Sequence, residues 1–332
     1  MEAFSYLVSD ASHVSACRLS AQRMARQLEF DETRAGRVAI AVTEAVTNIL
    51  RHGGGGTLAA RSLVNGHALG IEVLAIDSGS GMDDFGASAR DGFSSAGTAG
   101  TGLGAMRRMS EEFDVYTAPG RGTIVRMAFW NRDATPANDG YEVGGISIPR
   151  HGETVCGDAW GVEHHAHGAT FLVADGLGHG PDASRAASTA VEVLRRHSDY
   201  PAVRLLDVVH SRLRATRGAA VAVLRHESAR GEIAFAGVGN ISAVILDGEN
   251  RRAMLSHNGI VGHNIHKSEE YRYAWRPGAL LVAHSDGLET QWSLGRFPGL
   301  PDRHASVIAA MLYREYSRKR DDVTVMVART TH

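Results

Sequence analysis

Two stretches near the start of the chain carry apolar residues at helical spacing. In 11–28 and again in 34–51, apolar side chains recur every three or four positions and therefore share one face. This spacing is typical of an amphipathic helix packed on a core. The second helix is predicted to end at His52, because the glycine run 53–56 follows directly and glycine terminates helices.

Alternation of apolar and polar residues predicts strands in the rest of the first half. We predict strands at 58–64, 68–77 and 124–130, and one more helix at 103–113. Helices, strands and glycine-rich loops in this order indicate an α+β sandwich in which helices lie on one sheet.

Strand-like runs dominate the second half of the chain. The predicted strands are 143–149, 169–174, 219–226, 232–238, 242–246, 279–285 and 322–328, and the predicted helices are 182–197, 203–216 and 304–316. A polar stretch with Pro and Gly, 131–145, separates the halves. We therefore predict an α+β protein with an N-terminal domain at 1–131, a linker at 132–144 and a C-terminal domain at 145–332. The last should have two stacked sheets flanked by helices.

Composition narrows the class of protein. The 332 residues are 43% hydrophobic and 22% charged, which suits two globular cores. A net charge of -2 argues against nucleic-acid or anionic membrane partners. Neither an apolar run of about 18 residues nor a signal peptide is evident. Two cysteines are too few for a disulfide framework, so we expect a cytoplasmic protein.

Three polar features of the first half suggest a nucleotide site. Glu44 and Asn48 lie four positions apart and share one helix face. Asp77 ends a strand, where its carboxylate can accept a hydrogen bond from an adenine amino group. The glycines that follow Asp77 and those that open the helix at 103 let backbone approach a ring and offer N–H groups to phosphate. These glycines are Gly79, Gly81, Gly100, Gly102 and Gly104.

In this order, the three features resemble the motifs of the GHKL superfamily (gyrase, Hsp90, histidine kinase, MutL), whose ATPase domain has the Bergerat fold. The short domain is most similar to anti-sigma-factor serine kinases and stressosome switch kinases, and the sequence Asp91-Gly-Phe-Ser-Ser fits the switch kinases best. The resemblance implies ATP with Mg²⁺, Asn48 as a Mg²⁺ ligand and Asp77 as the adenine partner. It also implies Glu44 as general base on an acceptor hydroxyl, and 100–104 as a short lid.

In the second half, aspartates follow or precede predicted strands. Carboxylates gathered at one rim repel one another and raise each other's pKa unless cations neutralise them. Hard divalent ions with oxygen ligands are suitable neutralisers, and two such ions orient a water for attack on phosphorus. The aspartates are Asp158, Asp175, Asp286, Asp321 and Asp322.

Together with Asp175-Gly-Leu-Gly-His-Gly180, these residues resemble the metal-dependent phosphatases of the PPM class, in the bacterial SpoIIE branch. The resemblance implies an α-β-β-α sandwich that binds two Mn²⁺ or Mg²⁺ ions and hydrolyses phosphoserine or phosphothreonine on a protein. Asp158 corresponds to the bridging, catalytic aspartate. Asp175 and the carbonyl of Gly176 correspond to ligands of the first ion. Asp286 and Asp321 correspond to ligands of the second, with Asp322 as the alternative to Asp321.

The chain departs from the family pattern at two places. The family's Gly-His-Pro-Pro turn is replaced by Gly239-Asn240-Ile-Ser, and no arginine clearly matches the phosphate-binding arginine of eukaryotic members, although Arg150 lies close in sequence. Phosphate binding would then fall mostly to the metal ions. His179 is either a neighbour of the metal ligands or a structural hydrogen-bonding residue.

These observations predict a fused regulatory switch. The N-terminal domain would be a serine/threonine kinase and the C-terminal domain a phosphatase. Both would act on a small STAS-type (sulfate transporter and anti-sigma antagonist) protein, such as a sigma-factor regulator. The alternative keeps the phosphatase and makes the N-terminal domain a non-catalytic module that binds ATP and sequesters a partner. The sequence makes no prediction about the oligomeric state.

Overall fold

The chain divides into two compact units that both combine helices with sheets. The structure, a computed structural model, describes residues 2–82, 102–132, 140–265 and 267–331. One unit comprises 1–138 with 297–307, and the other comprises 139–296 with 308–332. The predicted α+β two-domain class is confirmed. Across the described residues, no helix has the length and apolarity needed to cross a membrane.

The first unit contains one antiparallel five-stranded sheet with the strand order β1-β2-β3-β5-β4. Its strands are β1 (Ala3–Val8), β2 (Gly56–Asn65), β3 (Ala68–Asp77), β4 (Glu112–Thr117) and β5 (Thr123–Trp130). The described residues of this unit also form the helices α1 (Ser12–Gln27), α2 (Glu32–Gly53) and α3 (Gly102–Met109).

Helix α2 is fixed at both ends and along its apolar face. The Asp31 side chain caps its first turn by accepting the Arg34 N–H at 2.7 Å, and Gly54 ends it in the left-handed conformation with φ of 66°. Its apolar face is fully buried and packs in one core with Leu58 and Val73 of the sheet. The polar face that carries Glu44 and Asn48 is therefore held in a defined orientation.

The predicted helix 103–113 is wrong in its second half. Helix α3 ends at Met109, and β4 begins at Glu112 and pairs with β5. The apolar residues Phe113 and Val115 are two positions apart, which is the spacing of a strand, and both pack in the core beneath the helices. Strand β1 was not predicted either, and it lies at the edge of the sheet against β2.

The second unit contains two five-stranded sheets with the orders β15-β10-β9-β8-β7 and β12-β11-β16-β17-β6, and a two-stranded ribbon β13-β14. The strands are β6 (Tyr141–Ile148), β7 (Asp158–His165), β8 (Gly168–Gly176), β9 (Ala219–Glu227), β10 (Glu232–Val238), β11 (Ser242–Asp247), β12 (Asn250–Ala253), β13 (Gly259–Ile260), β14 (Asn264–Ile265), β15 (Tyr271–Ala274), β16 (Leu280–His284) and β17 (Val323–Thr330). The helices are α4 (Pro181–His197), α5 (Ala202–Leu213) and α6 (Ala305–Tyr316).

Two apolar layers hold the second unit together. Between the sheets, Phe171 and Phe235 pack with Leu281 and Met326 in one cluster. On the other side of the β15–β7 sheet, α4 and α5 contribute a second cluster with residues of β8, β9 and β10. The ends of β7 and β8 are thus fixed by packing on both faces of their sheet, which matters because Asp158 and Asp175 lie there.

A buried acidic residue, Glu72, binds several polar side chains on the face of the first sheet that is opposite to the helices. Glu72 of β3 is only 1% exposed, and its carboxylate accepts hydrogen bonds from Arg61 Nε at 2.7 Å and Arg126 Nε at 2.6 Å. Ser306, from the segment 297–307, donates to the same carboxylate at 2.9 Å. Burial alone would raise the pKa of Glu72, but the two arginines outweigh it and hold that pKa well below its usual range.

We expect Glu72→Gln to lower the free energy of unfolding of the first unit by about 3–5 kcal/mol, because it removes the buried carboxylate that Arg61 and Arg126 share and leaves Glu112 as the acidic partner of Arg126. Glu29→Gln removes the same charge at an exposed position of that unit and should change stability by less than about 0.5 kcal/mol. Urea titration of the full chain measures both changes. A loss in Glu72→Gln no larger than that in Glu29→Gln would contradict the structural importance of this pairing.

Candidate functional site

The predicted nucleotide residues of α2 face the beginning of α3. A Cβ built on Gly102 would lie 3.2 Å from Asn48 Nδ2 and 3.4 Å from Glu44 Oε2. The first turn of α3 therefore runs close to the polar face of α2, and Gly102 leaves the space between them open. The structure brings Glu44, Asn48 and Gly102 together as predicted.

Asp77 is held against the end of α2. Its Oδ1 atom accepts the backbone N–H of Gly79 at 2.8 Å and of Thr123 at 3.2 Å. A Cβ on Gly53 would lie 2.4 Å from Asp77 Cβ, so only glycine permits this approach. The carboxylate at the end of β3 is thereby fixed next to the helix that carries Glu44 and Asn48.

The glycines after Asp77 are required by close backbone contacts. A Cβ on Gly79 would lie 2.1 Å from the carbonyl oxygen of His52, and one on Gly81, whose φ is 65°, would lie 1.9 Å from that of Ala118. Sequence reasoning missed Thr117, whose hydroxyl accepts the Met82 N–H at 3.0 Å and closes the same turn. Gly104 is buried in α3, whereas Gly100 and Asp91 lie outside the described residues.

This donor set fits an adenine nucleotide with Mg²⁺. The Asn48 amide oxygen is the type of hard ligand that Mg²⁺ accepts, and α3 presents the N–H groups of its first turn beside it. Asp77 supplies a carboxylate at the end of a strand, flanked by glycines that leave backbone accessible. Asn48 and Glu44 are both half-buried, so a ligand that reaches them is partly removed from water.

The second group of predicted residues gathers at one end of the two sheets in the other unit. Asp158 opens β7, and Asp175 lies directly opposite it in the β7–β8 ladder. Asp286 follows β16 and Asp321 precedes β17, which are neighbouring antiparallel strands. Because the side chains occupy strand ends, their positions are set by strand register.

Three of these aspartates line one cavity of about 530 Å³. Asp175 and Asp286 face it from different sheets, and Asp321 joins them. Asp158 lies deeper and is only 5% exposed, opposite Asp175. Gly176 continues the strand beyond Asp175, where a Cβ would lie 2.1 Å from the Ala183 carbonyl oxygen of α4.

The electrostatics of the group are unfavourable for four unneutralised carboxylates. Burial, then repulsion from Asp286 and Asp321, raises the pKa of Asp175 to about 7. Burial and the charge of Asp175 raise the pKa of Asp158 well above its usual range. Burial and Asp321 also raise the pKa of Asp286. A positive charge placed among these carboxylates would reverse the repulsion.

The chemistry of the group fits divalent cations that prefer oxygen ligands. Asp158 Oδ2 is buried and has no hydrogen-bond partner among the described residues, so a donor or cation is needed there. In the part of the chain that is described, no three His, Cys, Asp or Glu side chains already close around one point. Asp175, Asp286 and Asp321 nevertheless line one cavity, where a cation would offset their mutual repulsion.

The geometry distinguishes the two adjacent aspartates before β17. Asp321 is exposed and lines the cavity, whereas Asp322 is 3% exposed and its Oδ1 accepts the Arg150 N–H at 2.9 Å. A Cβ on Gly157 would lie 2.6 Å from Asp322 Oδ2, so Asp322 faces the loop before β7. These contacts favour Asp321 over Asp322 as a ligand.

Other polar residues line the cavity beside the aspartates. Arg150, the arginine noted from the sequence, is one of them. His179 is another, and its Nδ1 pairs with Glu153 Oε1 at 2.6 Å. Asn240, which stands where the family has histidine, donates from Nδ2 to Asp286 Oδ2 at 2.7 Å. Sequence reasoning missed the cavity wall at 258–260, which carries no charged residue to mark it.

Cysteine and histidine side chains of this unit could support other chemistry, as a nucleophile or as metal ligands. Burial, then the charges of Asp158 and Asp322, raises the pKa of the Cys156 thiol well above its usual range, which disfavours a nucleophilic thiolate. The histidine-rich segment 164–167 lies at the hairpin between β7 and β8. There His165 Nε2 contacts Thr170 Oγ1 at 3.1 Å and Arg225 Nη1 at 3.2 Å.

Comparison with known families matches both halves of the chain. Residues 7–129 match the family model of the histidine kinase-like ATPase domain, and residues 165–331, half of the chain, match that of stage II sporulation protein E. The first range contains Glu44, Asn48 and Asp77. The second contains Asp175 and the predicted ligands at 286 and 321.

Individual relatives agree with this division. The first half is 29% identical to the serine/threonine-protein kinase RsbT of Bacillus subtilis, in a match that covers 36% of the chain and 90% of RsbT. It is 31% identical to the anti-sigma F factor of Thermoanaerobacter sp., in a match that covers 36% of the chain and 87% of that factor. A structure reported under "The bacterial stressosome: a modular system that has been adapted to control secondary messenger signaling" matches 57% of the chain and 99% of its own length, with 34% identity and a TM-score of 0.53. The magnesium complex of RsbX has the same fold over 57% of the chain and 96% of its own length, with a TM-score of 0.50 and 17% identity. The chain therefore belongs to the stage II sporulation protein E (SpoIIE) family and carries a histidine kinase-like ATPase domain before the SpoIIE domain.

Proposed function

We propose that the chain is a partner-switching regulator whose SpoIIE domain removes phosphate from serine or threonine of a protein, and whose ATPase domain adds it. The observation that carries this proposal is the convergence of Asp175, Asp286 and Asp321 on one cavity, with Asp158 in register beneath them. A group of acidic side chains with raised pKa values in a cleft is characteristic of a functional site rather than of a stabilising ion pair.

In the hydrolytic site, the protein supplies oxygen ligands and a shaped cavity. Asp158, Asp175, Asp286, Asp321 and the carbonyl of Gly176 would hold two Mn²⁺ or Mg²⁺ ions. Such a pair, when bound, supplies an activated water and neutralises phosphate charge.

Around these ligands, Arg150 lines the same cavity and would bind a phosphate oxygen. The strand register of Asp158 and Asp175 keeps both carboxylates oriented, so little reorganisation is needed when a phosphorylated side chain enters.

In the ATP site, each residue has a separate task. Asp77 would orient adenine, and the first turn of α3 would donate N–H groups to phosphate oxygens. Asn48 would present its amide oxygen to Mg²⁺. Glu44 lies on the same face of α2, one helical turn earlier, and would take the proton from the acceptor hydroxyl.

We propose that the acceptor and the phosphorylated substrate are the same STAS-type antagonist protein. RsbT and the anti-sigma F factor are named for a protein kinase activity and for action on a sigma factor. With both activities in one chain, the ratio of transfer to hydrolysis would set the phosphorylation state of the partner.

A second candidate function concerns the first unit alone. The 31% identity to an anti-sigma F factor favours a module that binds ATP and sequesters a partner. In that case Asp77 and Asn48 retain their roles, while Glu44 transfers no proton. ATP turnover in the presence of a partner separates this candidate from the kinase.

We expect Mn²⁺ to stabilise the metal-free full-length protein by about 2.7 kcal/mol at a free concentration of one hundred times Kd. Asp175→Asn should abolish most of this effect, and without metal it should be at least as stable as the wild type because a repelling charge is gone. Thermal unfolding with and without Mn²⁺ measures both effects. Asp247→Asn, at the exposed last residue of β11, is the control and should keep the full stabilisation. Full stabilisation of Asp175→Asn would show that Asp175 is not a ligand.

Phosphate release from a serine-phosphorylated antagonist of the same genome should require Mn²⁺ or Mg²⁺. Chelation should stop it, and added metal should restore it. We expect Asp158→Asn and Asp286→Asn each to lower kcat/KM by at least about a hundredfold, because each replaces a charged carboxylate ligand of the metal pair with a neutral amide. Phosphate release that persists in both variants would contradict the hydrolase assignment.

Transfer from labelled ATP to the unphosphorylated antagonist tests the first unit, in an Asp175→Asn background that preserves the label. Glu44→Gln should lower transfer by about 10²–10⁴-fold while retaining ATP affinity, since a general base acts only in the chemical step. Asn48→Ala should weaken ATP–Mg²⁺ binding itself. Stoichiometric partner binding without transfer, in both the wild type and Glu44→Gln, would instead identify the sequestering module.

A further inference from the structure

We propose that Asn240 is a positioning residue that fixes Asp286 relative to Asp175 and thereby sets one of the two metal sites. This inference rests on the proposed phosphatase function and deepens it. It starts from the replacement of the family's histidine by asparagine and from the single hydrogen bond between Asn240 Nδ2 and Asp286 Oδ2, at 2.7 Å.

The turn that carries Asn240 connects a strand of one sheet to a strand of the other sheet. Strand β10 belongs to the sheet that contains β8 and Asp175, whereas β11 belongs to the sheet that contains β16, the strand before Asp286. A residue in this turn is therefore attached to both sheets. Its position depends on the same packing that determines the separation of the two carboxylates.

On the side of Asp175, the turn is anchored by very close packing. Gly239 has a φ of 101°, and a Cβ there would lie 2.4 Å from Ala220 Cβ. Ala220 is the residue opposite Asp175 in the β8–β9 ladder. In addition, Gly239 donates its N–H to the His257 carbonyl at 2.8 Å. The turn is thus seated on the strand next to the one that bears Asp175.

On the side of Asp286, the turn leads directly into the ladder that precedes this ligand. Ser242 of β11 pairs with His284 of β16, two residues before Asp286, and Ile241 is 3% exposed. Asn240 itself is exposed, so its side chain contributes little to the core. Its specific contact is the hydrogen bond to Asp286 across the cavity rim.

The neutral amide suits a ligand that must also bind a cation. The Asn240 amide engages the Oδ2 atom of Asp286 at 2.7 Å without bringing a charge of its own. A cationic side chain at position 240 would compete with a metal ion for the carboxylate, whereas an amide holds it without adding charge. Side chains that orient a metal ligand by hydrogen bonding influence the affinity of the metal site.

The test measures Mn²⁺ binding to the metal-free full-length protein by calorimetry, independently of turnover. We expect Asn240→Ala to weaken one of the two binding events by about tenfold. The thermal midpoint of the metal-free protein should stay unchanged, because the side chain is exposed. At pH 8, Asn240→His should recover most of the affinity, since a neutral imidazole again offers an N–H. The electron paramagnetic resonance spectrum of the coupled Mn²⁺ pair should be altered in Asn240→Ala and restored in Asn240→His.

Asn258→Ala is the matched control, because Asn258 lines the same cavity and is an asparagine of the same size. It should leave both Mn²⁺ affinities unchanged. Equal affinities in the wild type and Asn240→Ala would overturn the positioning role, as would an equal loss in Asn258→Ala or a histidine variant as weak as the alanine variant. Failure of the wild type to bind Mn²⁺ at all would instead overturn the proposed phosphatase.

Discussion

Mutual repulsion among carboxylates at the strand ends is the constraint on which the second unit depends. Asp158 and Asp175 are directly opposite in a ladder, and neither can move away without breaking its register. Burial, followed by repulsion from Asp286 and Asp321, raises the pKa of Asp175 to about 7. A proton or a cation placed among these carboxylates relieves the repulsion. Packing on both faces of the β15–β7 sheet keeps Asp158 and Asp175 in place, so both carboxylates remain positioned to bind a cation.

The ATP site in the first unit is built on a different principle. In this site, glycines are essential because they have no side chain. Gly53 and Gly79 allow β3 and the following turn to contact the end of α2, and Gly102 leaves space beside Asn48. Close backbone approach creates a concave site with N–H donors and one fixed carboxylate, Asp77. In the proposed function, a nucleotide would enter this site with Mg²⁺. The two units would then bind phosphate groups in different ways, the first through backbone N–H groups and the second through cations held by several carboxylates.

Patterns within single helices and strands predicted many residues of both sites. The residues that these patterns missed are positioned by contacts between distant segments of the chain. The four-residue spacing of Glu44 and Asn48 is a property of one helix, and each aspartate of the second unit follows from its own strand end. Edge strands such as β1 and β12 were missed because their stability comes from a partner strand rather than from their own pattern. The interaction of Asn240 with Asp286 joins residues 46 positions apart, which no spacing rule anticipates. Likewise, Asp321 and Asp322 are distinguished by contacts with distant segments: Asp321 lines the cavity, whereas the buried Asp322 contacts Arg150 and Gly157.

The different requirements of the two reactions explain why each has its own unit. A general base, the role proposed for Glu44, acts by accepting a proton, and crowded carboxylates around it would interfere with that task. A metal pair, in contrast, needs several carboxylates at close range, which is the condition that raises their pKa values. Placing both sets around one cavity would make each disturb the other. Separate cores, one centred on α2 and the other between two sheets, satisfy both requirements in one chain.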